Sequence, residues 1–255
     1  MIQKHIFTTD QFEDKNRMKI ALLIDGDNAQ PSLIEKIIAE TGKYGPSTIR
    51  RIYGDWTTPN MNGWKESLNN LAIQPIQQFR FTIGKNATDS AMIIDAMDIL
   101  HSGLVEGFCI VSSDSDYTRL ATRIRESGIF VMGIGQNKTP KPFVNACNRF
   151  VYTENLTLND SKLINAKDAE KSLIVDEKAK ILEPIPLLKE AFEMALREDG
   201  WAQLGTMGHY LPQLDPGFDP RSYGFKQLSQ LVKAHSNIFE LKHQDDGSIY
   251  LKIKE

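Results

Sequence analysis

Short β-rich runs alternate with segments of helical periodicity from Lys19 to about Thr153, and this alternation limits the fold more than any other feature of the chain. Strands are predicted at 19–24, 48–54, 73–79, 107–113, 129–135 and 149–153. Helices are predicted between them, near 31–43, 62–71, 88–102, 116–127 and 140–147. Such alternation is typical of a mostly parallel sheet with helices on both faces. The sequence therefore predicts an α/β domain with a doubly wound sheet.

Two of these strands contain unbroken apolar runs, the pattern of central strands that are buried on both faces. They are the strands at 19–24 and 107–113. Right-handed crossovers in a doubly wound order would place them side by side, where the strand order reverses and ligands usually bind. Pro75 indicates an edge position for the third strand, because proline cannot donate to a central ladder.

Acidic residues follow both central strands directly. Asp25 and Asp27 follow the first strand, and Asp114 and Asp116 follow the second. We predict that Asp25 and Asp114 share a divalent cation with Asp89, because a cation removes the cost of crowding several carboxylates. An all-oxygen cluster without nearby Cys or His suits Mg²⁺ or Mn²⁺ rather than Zn²⁺.

The remaining polar residues near these acids have supporting or structural interpretations. Supporting roles are predicted for Asn28, Asp27, Asp95 and Ser112. Asp116 can instead cap the helix that follows it, and Asp27 can be a turn residue. Thr88 is predicted to cap the helix whose first turn carries Asp89. Asp95 lies six positions after Asp89, so the two side chains are expected to point to different sides of that helix.

The character of the chain changes after residue 160. Residues 161–180 are charge-balanced without a strong period and are predicted to form a linker between a domain at 1–160 and a second at 181–255. Helices are expected at 186–199, where Gly200 would stop the first, at 202–214, where Pro212 would end the second, and at 222–236. Two short strands then flank a turn containing Asp246 and Gly247. This outline predicts a smaller winged helix-turn-helix domain.

The first domain resembles the NYN domain family, a branch of the PIN-like nuclease superfamily that includes LabA-like members. The residues that carry the resemblance are ALLIDGDN at 21–28, KNATDSAMIIDAMDIL at 85–100 and VSSDSDYTRLATRIRESG at 111–128. The resemblance implies a metal-dependent ribonuclease whose metal-binding acids fall on Asp25, Asp89 and Asp114, with Asp116 as a further candidate. Asp95 also falls at an acidic position of the family.

The tail is similar to the OST-HTH or LOTUS domain. The likeness extends from Asp199 to Leu241 and is strongest in DPRSYGFKQLSQLV at 219–232. Domains of this family are implicated in binding RNA, some of them G-rich or quadruplex RNA, and others bind proteins. The resemblance therefore implies RNA as the substrate and leaves a protein partner open. The oligomeric state is also open, with a homodimer as one arrangement.

Basic residues on the active-site edge of the sheet are candidates for positioning RNA, because Lys and Arg contact phosphates without reading sequence. In the first domain these are Lys85, Arg119, Lys138 and Lys141. In the tail the corresponding candidates are Arg221, Tyr223 and Lys226, which are expected to open the third helix. For any single residue, solvated surface charge is an equally good interpretation.

Net charge, apolar content and cysteine usage exclude few functions, but they indicate where in the cell the protein works. The net charge is −3, so a nucleic-acid partner would have to meet locally grouped cations rather than a basic domain. No apolar stretch approaches the roughly 20 residues that span a bilayer, and no signal peptide is apparent. Cys109 and Cys147 are expected to be buried reduced thiols. These features predict a cytoplasmic protein.

Two other functions fit parts of the pattern. A haloacid-dehalogenase-like phosphatase also places an Asp-x-Asp after a strand, but that motif expects Thr or Val where Ala29 stands, and a wider acid pair than Asp114 and Asp116. The second alternative is a non-catalytic RNA-binding adaptor with a nuclease-like fold. The retained acids favour a nuclease over the adaptor.

Overall fold

The computed structural model describes residues 17–79, 87–157, 184–244 and 247–254. The predicted linker at 161–180, Lys85 and Asp246 lie outside the described residues. The chain divides into two compact units, 1–147 and 148–255. None of the helices in the described ranges is long and apolar enough to cross a membrane.

Within the described residues, six strands form one parallel sheet. They are Ile20–Asp25 (β1), Ser47–Gly54 (β2), Gln74–Gln77 (β3), Gly107–Val111 (β4), Phe130–Gly135 (β5) and Arg149–Tyr152 (β6). The strand order is β3-β2-β1-β4-β5-β6, so the order reverses between β1 and β4. The predicted doubly wound sheet is confirmed, as are the adjacency of the two apolar strands and the edge position of the strand that contains Pro75.

Helices connect these strands, and one follows the last strand. They are Ile34–Gly42 (α1), Lys65–Asn70 (α2), Ala87–Ser102 (α3), Thr118–Glu126 (α4), Lys141–Ala146 (α5) and Thr153–Thr157 (α6). Short 3-10 segments precede three of them, at Pro31–Leu33, Pro59–Trp64 and Ser115–Tyr117. Two of these segments begin with proline, whose fixed φ suits a first helical position. The predicted helices therefore all occur in this part of the chain.

The core of the first unit is centred on β1 and β4, in which every residue is buried. The two strands pair in parallel from Ile20 with Gly107 to Ile24 with Val111. A strand that contacts helices on both faces is usually a nearly continuous apolar run, and each buried Leu or Ile contributes roughly 1.5–3 kcal/mol. Because the two strands run parallel in this register, the residues at and just beyond their carboxyl ends lie at one edge of the sheet.

Both thiols are reduced and buried, as predicted. Burial raises the pKa of Cys109 to about 12, and its Sγ also accepts a hydrogen bond from the Thr41 hydroxyl at 3.4 Å. Burial likewise raises the pKa of Cys147. Because a thiol reacts as its thiolate, neither cysteine is expected to react with a disulfide reagent at pH 8 within the time that a free thiol needs. A titration that finds two reactive thiols only after addition of denaturant would agree, whereas rapid labelling of the folded protein would contradict this burial.

The second unit contains the predicted three helices and hairpin. Its tail elements are Ile185–Ala195 (α7), Ala202–Gln203 (β7), Leu204–Leu214 (α8), Leu228–Ala234 (α9), Phe239–His243 (β8) and Ile249–Ile253 (β9). The three strands form an antiparallel sheet in the order β7-β9-β8. Helices and sheet share one apolar core that includes Leu188, Met207, Leu231 and Leu251. Gly247 in the hairpin turn has a φ of +81°, which glycine adopts without strain.

Three helix boundaries in the tail differ from the prediction. The first helix ends at Ala195 rather than 199, because Leu196 leaves the helix to pair with Ala202. Pro212 does not end α8, which continues to Leu214, since the φ of proline is itself helical near a helix end. The third helix begins only at Leu228, because Gly224, at a φ of +85°, separates it from a 3-10 segment at Pro220–Tyr223.

The second unit begins at Asn148 and thus includes β6 and α6. Within this unit the Phe150 N–H donates to the Pro216 carbonyl at 2.7 Å, and Asn155 donates to the Ser222 hydroxyl at 2.8 Å. Deleting 181–255 would therefore remove bonding partners of residues in β6 and α6. Single substitutions in the tail test its function without removing these hydrogen-bond partners.

Candidate metal centre

Three acids meet where β4 and the start of α3 come together. Asp89, Asp114 and Asp116 each place one carboxylate oxygen within 4.8 Å of the others, among the described residues. At a ligand distance of about 2.1 Å, oxygens on opposite sides of a Mg²⁺ ion lie about 4.2 Å apart. The spacing is thus close to what a single ion requires. An all-carboxylate donor set fits Mg²⁺ or Mn²⁺.

The loop after β4 holds Asp114 and Asp116 in place. The Asp114 N–H donates to the Ser112 hydroxyl at 3.1 Å, and Asp114 accepts the Asp116 N–H at 2.9 Å. Asp114 is therefore the cap of the 3-10 segment, while Asp116 is exposed in its first turn. The alternative interpretation of Asp116 as a helix cap is wrong. One Asp114 oxygen makes the cap, so the carboxylate has a second oxygen with which to approach a cation.

Asp89 lies in the first turn of α3 and is only 9% exposed. The fully buried Tyr117 donates its hydroxyl to Asp89 at 2.8 Å. Burial and the nearby charge of Asp25 raise the pKa of Tyr117, so the phenol keeps the proton that it donates. Sequence reasoning missed Tyr117. The only signal was a tyrosine at the end of the SDSDY segment, which also fits a simple core residue.

Asp25 is not a member of the cluster of Asp89, Asp114 and Asp116, whose carboxylate oxygens lie within 4.8 Å of one another. It is fully buried, and both of its oxygens accept hydrogen bonds. The donors are the Asp27 N–H at 3.1 Å, the Asn28 N–H at 3.3 Å, the Asn28 side-chain amide at 2.7 Å and the Ser112 hydroxyl at 2.9 Å. A carboxylate has about four lone-pair sites, so these donors occupy them all. Asp25 thus fixes the loop after β1 and joins it through Ser112 to the loop after β4.

Two further residues differ in role from the simplest expectation. Thr88 was expected to cap α3, but it lies within the helix, and its hydroxyl donates to Asp27 at 3.2 Å. This bond ties the loop after β1 to the turn that carries Asp89. Asp27 is therefore more than a turn residue, because it connects two of the segments that supply acids.

Asp95 is directed to a different set of partners. It accepts hydrogen bonds from the Tyr53 hydroxyl and from the Arg51 guanidinium, both on β2. With Asp89 bonded to Tyr117, Asp89 and Asp95 have separate surroundings, in line with their six-residue spacing. The Asp95 contacts join α3 to the sheet.

Burial and like charge both act on the acids of this site. Burial raises the pKa of Asp89, and the charges of Asp25, Asp114 and Asp116 raise it further. Burial also raises the pKa of Asp25, although its hydrogen bonds from Asn28 and Ser112 oppose the change. Four carboxylates therefore repel one another in this region. A divalent cation between them would remove that repulsion.

Three of the basic candidates lie on loops or helix starts that follow β4 and β5. Arg119, Lys138 and Lys141 are exposed. The two loops are joined, since the Gln136 N–H donates to the Ser113 hydroxyl at 2.9 Å. Lys85 lies outside the described residues. The three exposed cations thus lie on segments that follow the edge of the sheet where the acids meet.

The tail candidates are arranged differently from the prediction. Arg221 and Tyr223 lie in the 3-10 segment, and Lys226 precedes α9, so none of them opens a continuous third helix. The Arg221 guanidinium donates to Asp219, with the shortest distance 2.7 Å. The Tyr223 ring packs beside Phe218, with centroids 5.8 Å apart. Both side chains therefore have structural partners within the second unit.

Comparison with known families finds two matches along the chain. The NYN domain model matches residues 19–158, which is more than half of the sequence. The OST-HTH/LOTUS domain model matches residues 178–251. Both lie where the two resemblances were drawn from the sequence.

Among solved structures, a protein of unknown function from Vibrio parahaemolyticus is 18% identical, with 56% of this chain and 94% of that chain covered and a TM-score of 0.46. A solution structure of an uncharacterized protein from Nitrosomonas europaea is 36% identical. It covers 33% of this chain and 86% of its own, with a TM-score of 0.29. No curated protein matches the chain.

Proposed function

This chain belongs to the NYN domain family with a C-terminal OST-HTH/LOTUS domain, and from this premise we propose that it is a metal-dependent endoribonuclease. The NYN domain is a nuclease-type domain, and the LOTUS domain is associated with RNA. The observation that carries the proposal is the meeting of Asp89, Asp114 and Asp116 within 4.8 Å. Carboxylates at this spacing are costly unless a cation neutralises them.

In this proposal Asp89, Asp114 and Asp116 hold Mg²⁺ or Mn²⁺. Asp25 would join them by exchanging one of its present hydrogen bonds for a ligand bond. When bound, such an ion supplies a Lewis acid that activates water and orients a phosphodiester for in-line displacement. Tyr117 keeps Asp89 oriented, and Ser112 keeps Asp25 and Asp114 in register.

The chain's cations have a separate role in the proposal. Arg119, Lys138 and Lys141 would contact phosphates on either side of the bond that is cut, and Lys85 is assigned to the same group. Such contacts position a strand without selecting its sequence. The tail at 181–255, joined through a linker at 161–180, would then determine which RNA is held.

The direct test is cleavage of an end-labelled RNA by the full chain. We expect internal cuts in the presence of Mn²⁺ or Mg²⁺ and none in EDTA. An enzyme that shortens RNA only from its ends would not be an endonuclease. RNA that is bound but stays intact with either metal would favour the adaptor function instead.

Tyr117→Phe is expected to weaken the apparent affinity for Mn²⁺ by about tenfold, because partners that orient metal ligands typically contribute about 10–100-fold. The substitution removes only the hydroxyl that donates to Asp89. Cleavage rates measured against Mn²⁺ concentration check it, and the half-saturating concentration should rise while the rate at saturation changes less.

Tyr53→Phe is the matched control for this experiment. It deletes the same atom from another fully buried tyrosine, one that donates to Asp95 rather than to the three-acid cluster. The half-saturating Mn²⁺ concentration should stay at the wild-type value in this variant. Equal shifts in both variants would mean that Tyr117 acts through general stability and not through Asp89.

A further inference from the structure

The outward face of the β7-β9-β8 sheet differs from its inward face. On the inward side, Ala202 and Leu251 are fully buried in the tail core, and Leu241 packs against it. Side chains alternate along a strand, so the neighbours of these residues point outward. In the paired register, Ala202 lies opposite Leu251 and Gln203 opposite Tyr250. The outward face is thus formed by the intervening residues.

Aromatic rings and cations share this outward face. The Arg197 guanidinium lies 5.1 Å from the centre of the Tyr250 ring and donates to its hydroxyl at 3.3 Å. The Lys242 ammonium lies 5.8 Å from the centre of the Trp201 ring. Both rings are half-buried, whereas both cations are exposed. We call Arg197, Trp201, Lys242, Tyr250 and the exposed Lys252 the sheet-face cluster.

The balance of charge within the cluster favours an anionic ligand. The cluster contains three cations and no acid. Among the described residues beside it, Glu240 lies opposite Lys252 in the strand register, and Asp199 accepts the Trp201 N–H. The chain as a whole carries a net charge of −3, so a group of cations beside two aromatic rings is a local departure from its composition.

This combination matches the requirements of one class of ligand. Unpaired bases stack on aromatic side chains irrespective of sequence, and neighbouring cations contact the backbone phosphates. Sheet faces that carry aromatic residues are a recurring platform for single-stranded RNA. An apolar peptide partner would not need the cations, and an acidic peptide would not need both rings.

We propose that the sheet-face cluster binds single-stranded RNA by stacking bases on Trp201 and Tyr250 while Arg197, Lys242 and Lys252 contact phosphates. The inference rests on the proposed ribonuclease function. It places the RNA contact of the tail on the antiparallel sheet. This sheet contact is an alternative to RNA binding through the third helix of the tail and the 3-10 segment before it. In that segment Arg221 is already bonded to Asp219, and Tyr223 packs beside Phe218.

The test measures binding by the full chain to a fluorescent, unstructured oligonucleotide in EDTA, so that no cleavage is required. Trp201→Ala and Tyr250→Ala should each weaken binding by about tenfold, which is a moderate loss for one stacked base. Trp201→Phe and Tyr250→Phe keep a ring and should bind within about threefold of wild type. A 2-aminopurine in the RNA should be quenched by wild type and not by the double alanine variant.

A charge-reversal pair tests the phosphate contacts without removing a ring. Lys242→Glu should weaken binding by about tenfold and reduce its salt dependence. Lys189→Glu makes the same change at an exposed position of α7, and should have no more than about a twofold effect. Both lysines are at exposed positions, so both variants should fold. They therefore keep the proposal testable even if a ring variant is unstable.

Two results would overturn the proposal. One is wild-type protein that binds no single-stranded RNA, and the other is affinity that stays within twofold in Trp201→Ala, Tyr250→Ala and Lys242→Glu. Retained RNA binding in these variants together with loss of a bound protein would identify the face as a protein-docking surface instead. Absence of cleavage by wild type would contradict the nuclease function but leave this binding measurement valid.

Discussion

Asp114→Asn is expected to abolish Mn²⁺-dependent RNA cleavage, with a loss of more than about 100-fold, because even partners that only orient metal ligands contribute about 10–100-fold. The substitution removes one negative charge from the three-acid cluster. It leaves an amide oxygen that can still accept the Asp116 N–H, so the cap at the start of the 3-10 segment should survive. Initial cleavage rates at saturating Mn²⁺ and a thermal melt of both proteins measure the two effects.

Asp98→Asn is the matched control for that experiment. Asp98 is an exposed acid on α3 and lies outside the cluster, so the same change in charge should leave the rate unaltered. Equal rates for Asp114→Asn and wild type would rule out this site. Parallel assays with a small phosphate ester address the remaining alternative, since turnover of the ester with intact RNA would identify a phosphatase.

Much of the fold of the first unit could be predicted, because the sequence patterns that indicate it lie within single strands and helices. The runs IALLI in β1 and GFCIV in β4 contain no charged residue, which already indicates strands that lie between two layers of helices. Pro75 indicated an edge strand because proline cannot donate to a central ladder. The tail helices were predicted too long because their ends depend on tertiary partners, such as the pairing of Leu196 with Ala202. Periodicity along a helix does not reveal a strand that pairs beyond its end.

The site shows the same division between local and distant information. The positions of Asp25 and Asp114 after buried strands indicated that they lie at one edge of the sheet, and Ser112 does join them. The sequence did not indicate that the four hydrogen bonds to Asp25 already occupy its oxygens. Nor did it identify Tyr117 as the donor to Asp89, because the two residues are 28 positions apart and only the fold brings them together.

Asp219→Asn is expected to lower the free energy of unfolding of the second unit by about 3 kcal/mol, the range for removing one partner of a buried ion pair. Asp219 is 3% exposed. Its carboxylate accepts the Arg221 N–H at 2.9 Å and the Arg221 guanidinium at 2.7 Å, and Arg149 lies 3.6 Å away. The amide would leave two largely buried guanidinium groups without a counter-charge. A thermal or urea melt that resolves the second unit measures the loss.

The pH dependence of this difference provides the sharper test. Burial alone would raise the pKa of Asp219, but the hydrogen bonds and charge of Arg221, together with Arg149, lower it below its usual value. A carboxylate with a lowered pKa stabilises the fold fully above its unfolded pKa of about 3.9, and this stabilisation is lost as the pH falls through the folded pKa. The difference in the free energy of unfolding between wild type and Asp219→Asn should therefore be constant from about pH 8 to 5 and shrink below about pH 4.

Asp199→Asn is the control, because Asp199 also accepts the N–H two residues later, from Trp201, but is exposed. That variant should melt close to wild type, and a loss as large as that of Asp219→Asn would show that the turn bond, and not the arginine pair, provides the stability.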